Sequence, residues 1–403
     1  MVPDKRHYSI DIRNVGDFLV ELKERIRSLA LSKGFDLVRF TNAEPFVEDE
    51  QAAIKRIRDG HMDGYSWYTE SRVRKMNRPM DLLEGARSVI SLAVSYLGES
   101  PGNPKVNHGK TARYSWGDDY HTTIKGMISE FTGALSGVVG ANVKTRAFVD
   151  DGPMNDRAAA RRSGLGWMGK NTNVISPNFG SWILLGQVVT DLELEPDASL
   201  KKTCGSCVRC IDDCPTGAIV APYIIDNTKC ISYLTIELRG SIPVELRPLM
   251  GDWVFGCDIC QDVCPVNRKA EPGKTAVSGD FKQRPGFSTP ELLALLEMDQ
   301  ETFSKTYKNS PVKRAKKIGL QRNACVALGN NGDINAVQPL IKALIGSESL
   351  VRAHAAWALG RFAESGNDHA FEALKLALHN EKDEEVLKEI DLALSYLETT
   401  QAM

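Results

Sequence analysis

The order of apolar and polar positions divides the chain into three stretches of different character. Between residue 1 and about 195, helical and extended patterns alternate. Apolar residues recur at helical spacing from Val15 to Ile26, and a continuous apolar run covers Ser88 to Tyr96. Further extended runs occupy Thr145 to Asp150 and Ser181 to Thr190, with a glycine-rich stretch between them. Alternating elements over this length predict an N-terminal α/β domain, residues 1–195. From 196 to 275 the periodicity fades among turn formers. Beyond a linker rich in Gly, Pro and Lys near 266–286, residues 285–403 follow a helical pattern.

Within that last stretch Ala327-Leu328-Gly329 recurs as Ala358-Leu359-Gly360 and, less faithfully, as Ala393-Leu394-Ser395, at offsets of 31 and 35 residues. Such repetition predicts stacked helical hairpins of the HEAT or armadillo type; a plain helical bundle is the simpler alternative.

At 403 residues the chain exceeds one ordinary core. A net charge of -2 excludes a molecule that is basic all over, so an anionic partner must meet a local patch. One such patch precedes the repeats: Lys313, Arg314, Lys316 and Lys317, with Arg322 close behind. It reads either as a phosphate-contacting segment or as a solvated face. No apolar run approaches the ~20 residues of a membrane helix, and the charged N-terminus lacks the pattern of a secretory leader. A cytoplasmic location is expected. There, nine cysteines are better explained as metal ligands or buried apolar residues than as disulfides.

Eight of the nine lie between Cys204 and Cys264. Cys204-x2-Cys207-x2-Cys210-x3-Cys214-Pro215 has the spacing of bacterial ferredoxins, in which three thiolates hold one cubane and the fourth reaches another. A second run, Cys257-x2-Cys260-x3-Cys264-Pro265, is one cysteine short, and Cys230 makes up the deficit. The expected sets are Cys204, Cys207, Cys210 and Cys264 on one 4Fe-4S cluster, and Cys214, Cys230, Cys257 and Cys260 on the other. Structural zinc is the alternative, although zinc sites seldom interleave their ligands this way. Cys325, among apolar neighbours, reads as a buried residue.

Two strings in the first stretch mislead. Gly164-Leu165-Gly166-Trp167-Met168-Gly169 matches the dinucleotide fingerprint, but it follows a helical pattern and precedes an extended one, the reverse of what that site needs. A close-packed loop that ends a helix is the better account. Asp119-x-His121-x-x-Ile124 lacks the final glycine of the string with which corrinoid proteins supply a histidine ligand. Val149-Asp150-Asp151-Gly152-Pro153 is more informative, because a carboxylate leaves an apolar strand directly into a turn. Asp150 there is either a proton donor or a turn-capping residue.

Taken together, Ala112-Arg113-Tyr114, Asp119-Tyr120-His121, Val149–Pro153 and Gly164–Thr172 resemble the epoxyqueuosine reductase family, a relative of the corrinoid reductive dehalogenases. The agreement continues through Cys230–Glu237 and Gly256–Asn267. The resemblance implies an α+β multidomain enzyme. Its parts are an N-terminal α/β cobalamin-binding domain, a central ferredoxin-like domain with two 4Fe-4S clusters (196–275), and C-terminal all-α HEAT-like repeats (285–403). It implies reduction of epoxyqueuosine to queuosine at the wobble position of tRNA, the last step of queuosine synthesis. An external low-potential donor would supply electrons, and cobalamin would be base-off with no protein histidine ligand. Asp150 is then the proton donor, Arg113, Asp150, Asn171 and Thr172 contact cobalamin, and Lys313, Arg314, Lys316, Lys317 and Arg322 meet the anticodon stem-loop. A monomer is expected. Asp151 departs from the family pattern and sets a second carboxylate beside the acid; a buried pair would hold its proton more tightly. A corrinoid reductase of a small molecule, or a ferredoxin-type carrier on a docking scaffold, would share many of these features.

Overall fold

The computed structural model describes residues 12–98, 102, 105–273 and 283–401. The charged stretch 1–11 and the middle of the linker, 274–282, lie outside the described residues.

In chain order the first part runs α1 (Ile12–Ser32), β1 (Leu37–Asn42), α2 (Val47–Arg58), α3 (Glu70–Met76), β2 (Ser88–Ser95), β3 (Lys110–Thr111), α4 (Tyr120–Val139), β4 (Thr145–Phe148), α5 (Asp156–Arg162) and β5 (Ile183–Thr190). Four strands form one sheet in the order β1-β2-β5-β4, antiparallel at every pairing. The alternation seen in the sequence therefore comes without parallel crossovers. The continuous apolar run of β2 has a direct cause, since the strand is central and covered on both faces. Ile90, Leu92 and Val94 face Ile26, Phe35, Ile128 and Phe131 beneath α1 and α4. Val89 and Ala93 point the other way, toward the alanines of α5.

The glycine string ends α5, as its flanking patterns predict. Gly164 takes φ +75, and a Cβ there would stand 2.2 Å from the Ala198 carbonyl oxygen. No nucleotide-binding turn is formed.

The central stretch contributes α6 (Arg209–Asp212), α7 (Ile231–Ile236), β6 (Trp253–Phe255) and α8 (Ile259–Asp262). Among the described residues seven α-helices follow: α9 (Leu292–Glu297), α10 (Gln300–Thr306), α11 (Lys316–Asn331), α12 (Val337–Gly346), α13 (Ser349–Glu364), α14 (Asp368–Asn380) and α15 (Glu384–Gln401). The Ala-Leu-Gly repetition has a steric reason. A Cβ at Gly329 would meet Ala358 Cα at 3.0 Å, and one at Gly360 would meet Ala393 Cβ at 2.8 Å. Each copy thus nests on the next, and only a residue without a side chain lets α11, α13 and α15 stack so closely.

One apolar core runs from Ile231 to Ala393, so α7 and β6 share it with the repeats. The expected boundary near 275 does not separate two cores. Arg322 explains part of the union and corrects an expectation. It is fully buried on α11, and its guanidinium donates to the carbonyls of Leu234 (2.5 Å) in α7 and of Leu238 (2.9 Å) and Gly240 (2.7 Å) just beyond it. It cannot reach a phosphate. Neighbouring Asn323 donates to the carbonyls of Thr235 and Val254, both at 2.8 Å. The first part is tied in by β3, which pairs with β6.

Candidate iron-sulfur and redox site

The two cysteine runs fold alike. In each, the last CxxC step leads into a single-turn helix, α6 or α8, and the two short helices pack together. Gly256 (φ +68) sets the second run against the first domain, since a Cβ there would stand 2.6 Å from that of Ala112.

All nine cysteines are free thiols. Burial raises Cys210 to about 11, and the neighbours that add to the rise are Cys204, Cys207 and Cys264. Burial likewise raises Cys257, then Cys230 and Cys260 do. Cys260 is raised by burial, then by Cys230, Asp258, Cys210 and Cys214. Cys210 thus lies near Cys204, Cys207 and Cys264, and Cys260 near Cys230, Cys210 and Cys214. Among the described residues no three Cys, His, Asp or Glu side chains converge on one point as ligands of a single ion do. Burial raises the Cys230 thiol, and the backbone N–H groups of Tyr233 and Ser232, which bond its sulfur, offset part of that rise. Cys325 is buried beneath α13 and stands apart from both groups.

The acidic turn lies on the first domain's side of the same region. The strand ends at Phe148, two residues earlier than the apolar pattern suggested, and Asp150 turns the chain with φ +49. It is exposed, and its Oδ2 accepts a 2.6 Å hydrogen bond from the Tyr120 hydroxyl at the start of α4. Burial, then the Asp150 charge, pushes Tyr120 far above its usual range and keeps it a donor. Tyr120 stacks on His121 and meets Tyr114 edge-on at 5.9 Å. His121 bonds Asp119 through Nδ1. Asp151 is exposed too, so the two carboxylates do not form a buried pair. Burial works against its ionisation, yet Lys125 and the Val149 N–H together hold its carboxyl below the usual range. Asp156 differs: burial, reinforced by Asp150, pushes its carboxyl well above the usual range, and its buried Oδ1 has no partner.

The basic segment approaches from the third side. Arg314 pairs with Glu237 at the end of α7 and lies near enough to Asp150 to feel its charge. Tyr65 is influenced by Glu237, Cys230 and Arg314 together. Arg314 thus has Asp150 on one side and Tyr65, itself near Cys230, on the other, although these residues lie far apart in sequence.

Three expected cofactor contacts are occupied with one another's surroundings. Arg113 gives its guanidinium to Asp258 (3.3 Å) and Asp262 (2.6 Å) and lies over Trp182. The cavity beside it, bounded by Leu97, Trp182 and Arg268, holds about 190 Å³, less than the roughly 300–1,000 Å³ of a site for a drug-sized ligand. Buried Asn171 donates to the Cys260 carbonyl at 3.2 Å. Thr172 has φ +66, and its carbonyl accepts from Arg157. Tyr114, Tyr120, Asp156 and Glu237 were not singled out by sequence, although Tyr114 and Tyr120 fall inside strings that were.

An exposed acidic turn in the first domain, eight cysteines in two ferredoxin-type runs and a helical-repeat support mark an iron-sulfur oxidoreductase. A family model for a 4Fe-4S double cluster binding domain matches residues 203–267, one for HEAT repeats matches 313–395, and one for epoxyqueuosine reductase QueG, DUF1730, matches 77–151. An epoxyqueuosine reductase of Bacillus anthracis is 34% identical over 94% of this chain and 98% of its own length. That of Escherichia coli K12 is 36% identical over 87% and 92%. An epoxyqueuosine reductase crystallised with an epoxyqueuosine-modified tRNA-Tyr stem loop superposes with a TM-score of 0.87, at 31% identity over 94% of this chain and all of that one. A Bacillus subtilis epoxyqueuosine reductase, with its catalytic aspartate loop swung out of the active site, gives 0.85 at 31% identity, over 94% and 100%. The chain belongs to the epoxyqueuosine reductase family.

Proposed function

We propose that this enzyme reduces epoxyqueuosine to queuosine in tRNA, with Asp150 as the acid. The reading is supported by one observation: Arg314 of the cationic segment feels the charge of Asp150 and, together with Cys230, acts on Tyr65. Removing the epoxide oxygen consumes two electrons and two protons and releases water. When bound, the clusters supply electrons singly and cobalamin supplies reducing power at carbon. Two groups of four thiols fit two 4Fe-4S clusters. The partnerless Asp156 Oδ1 and Arg72 Nε, both buried near the acidic turn, fit the polar rim of a cobalamin.

The chain's own part is protonation and placement. Tyr120 occupies Oδ2 of Asp150 and leaves Oδ1 to face the departing oxygen. The corresponding mobility in the Bacillus subtilis enzyme suggests that this contact holds the turn inward. Asp156, whose proton affinity is raised by burial and by Asp150, is a candidate to return a proton to it. Exposed Lys313 and Lys316, with Lys317 at the positive end of α11, suit RNA phosphates. No helix among the described residues is long and apolar enough to cross a membrane; we place the enzyme in the cytoplasm, as a monomer supplied by a low-potential carrier.

The test is anaerobic turnover. Protein reconstituted with iron, sulfide and cobalamin, given a low-potential reductant, should convert an epoxyqueuosine stem-loop RNA to its queuosine form by mass spectrometry. Absence of conversion by protein with full iron and cobalt content overturns the reading.

A further inference from the structure

Trp67 is 45% exposed, yet it is held in place. Its ring lies 5.4 Å from that of Tyr65 and 5.5 Å from that of Tyr68, and the Arg72 guanidinium sits 5.0 Å from its centre. Tyr65 in turn packs edge-on against Tyr233 of α7 at 5.2 Å. Gly64 (φ +86) brings the backbone so near that a Cβ would stand 1.8 Å from the Tyr233 hydroxyl oxygen. The segment is thus pinned to the helix that follows Cys230.

Arg72 links it to the acidic turn. It reaches the Gly152 carbonyl oxygen at 3.4 Å, two residues beyond Asp150, while its Nε is buried and has no partner. A fixed indole backed by a cation therefore stands at the edge of the turn that carries the acid. An exposed tryptophan adds little to the fold. An unpaired base finds there a flat apolar surface whose ordering cost is already met, in cationic surroundings that favour a polyanion.

We infer that Trp67 is a stacking platform for an unpaired nucleobase of the RNA substrate, beside the nucleotide that enters the site. The inference rests on the tRNA reading above. It deepens that reading by assigning part of RNA recognition to the first domain.

The test compares W67L, which keeps apolar bulk without a ring, and W67F, which keeps a ring, on reconstituted protein. Two RNAs are titrated: an anticodon stem-loop, and the same stem closed by a non-nucleotide linker. Stacking predicts that W67L binds the stem-loop about tenfold more weakly and W67F within about threefold of wild type, with the linker-closed stem bound alike by all three. Equal stem-loop affinity in W67L and wild type overturns the platform. Equal weakening in W67L and W67F also overturns it, because the aromatic face is then not what matters. Unchanged RNA affinity with slower reduction by an external donor assigns the surface to that donor instead. Wild type that binds both RNAs equally removes the tRNA reading itself.

Discussion

The Tyr120 hydroxyl donates to Asp150 Oδ2 across 2.6 Å, joining residues 30 positions apart on a helix start and a strand end. Asp150 is exposed and has a left-handed backbone, so little else fixes its carboxylate. A hydrogen bond to a charged group contributes about 1.5–3 kcal/mol, and its loss in Tyr120→Phe should slow single-turnover reduction roughly tenfold or more. Asp150→Asn keeps the shape and removes the acid, and should cost about 10²–10⁴-fold. Both variants should retain wild-type iron content. An Asp150→Asn protein that turns over normally would remove the acid assignment.

The thiol groups make a separate prediction about metal. Cys230 is expected among the ligands of the second cluster and Cys325 in neither set, although Cys325 is buried in one apolar core and half-buried Cys230 packs against it. Wild type should carry about eight irons, and Cys230→Ala should lose one cluster's signal by EPR and about half the iron, while Cys325→Ser keeps all of it. Because the central stretch has little core of its own, chelation should unfold it, lowering the melting temperature far more than Cys325→Ser does.

Local, stereotyped chemistry was legible in the sequence, and tertiary phase was not. The cysteine spacing announced the iron-sulfur region because each run is a few residues long, and the double-cluster domain match at 203–267 agrees with it. The Ala-Leu-Gly repetition announced stacked helices because glycine there answers a direct steric demand. Arg322 was misread for the opposite reason. It adjoins a basic segment in sequence, but α11 runs through the middle of the repeat stack, and residues 319–329 are all buried. Only the packing of α7 against α11 reveals three carbonyls waiting for that guanidinium.

Arg322 and Lys313 should therefore fail differently. Arg322→Ala strands buried carbonyls and opens a cavity, which should destabilise the protein by about 3 kcal/mol or more. Lys313→Ala should leave the melting temperature unchanged. It should weaken stem-loop binding and reduce the slope of log affinity against log salt by about 1. A reversed pattern, with Arg322→Ala stable and deficient only in RNA binding, would contradict the buried placement.

His354 ties stability to pH. It is fully buried on α13; its Nε2 accepts from the Ile242 N–H at 3.2 Å and its Nδ1 donates to the Leu350 carbonyl at 2.7 Å. Burial, then the charges of Arg247 and Arg322, lower its pKa well below 6.5. The unfolded chain therefore takes up this proton first as pH falls. The stability carried by the neutral imidazole is intact above about pH 6.5 and declines below it, by up to ~1.4 kcal/mol per pH unit until the folded form also protonates. Asp258 titrates in the opposite sense. Burial raises it to about 6, so acidification from there toward about pH 4 favours the fold. The informative quantity is thus the difference between wild type and His354→Gln. That variant should melt lower at pH 7.5 and lose less of its remaining stability between pH 7 and 5.5. Parallel pH profiles for the two proteins would show that His354 is protonated in the fold, contrary to its hydrogen bonds.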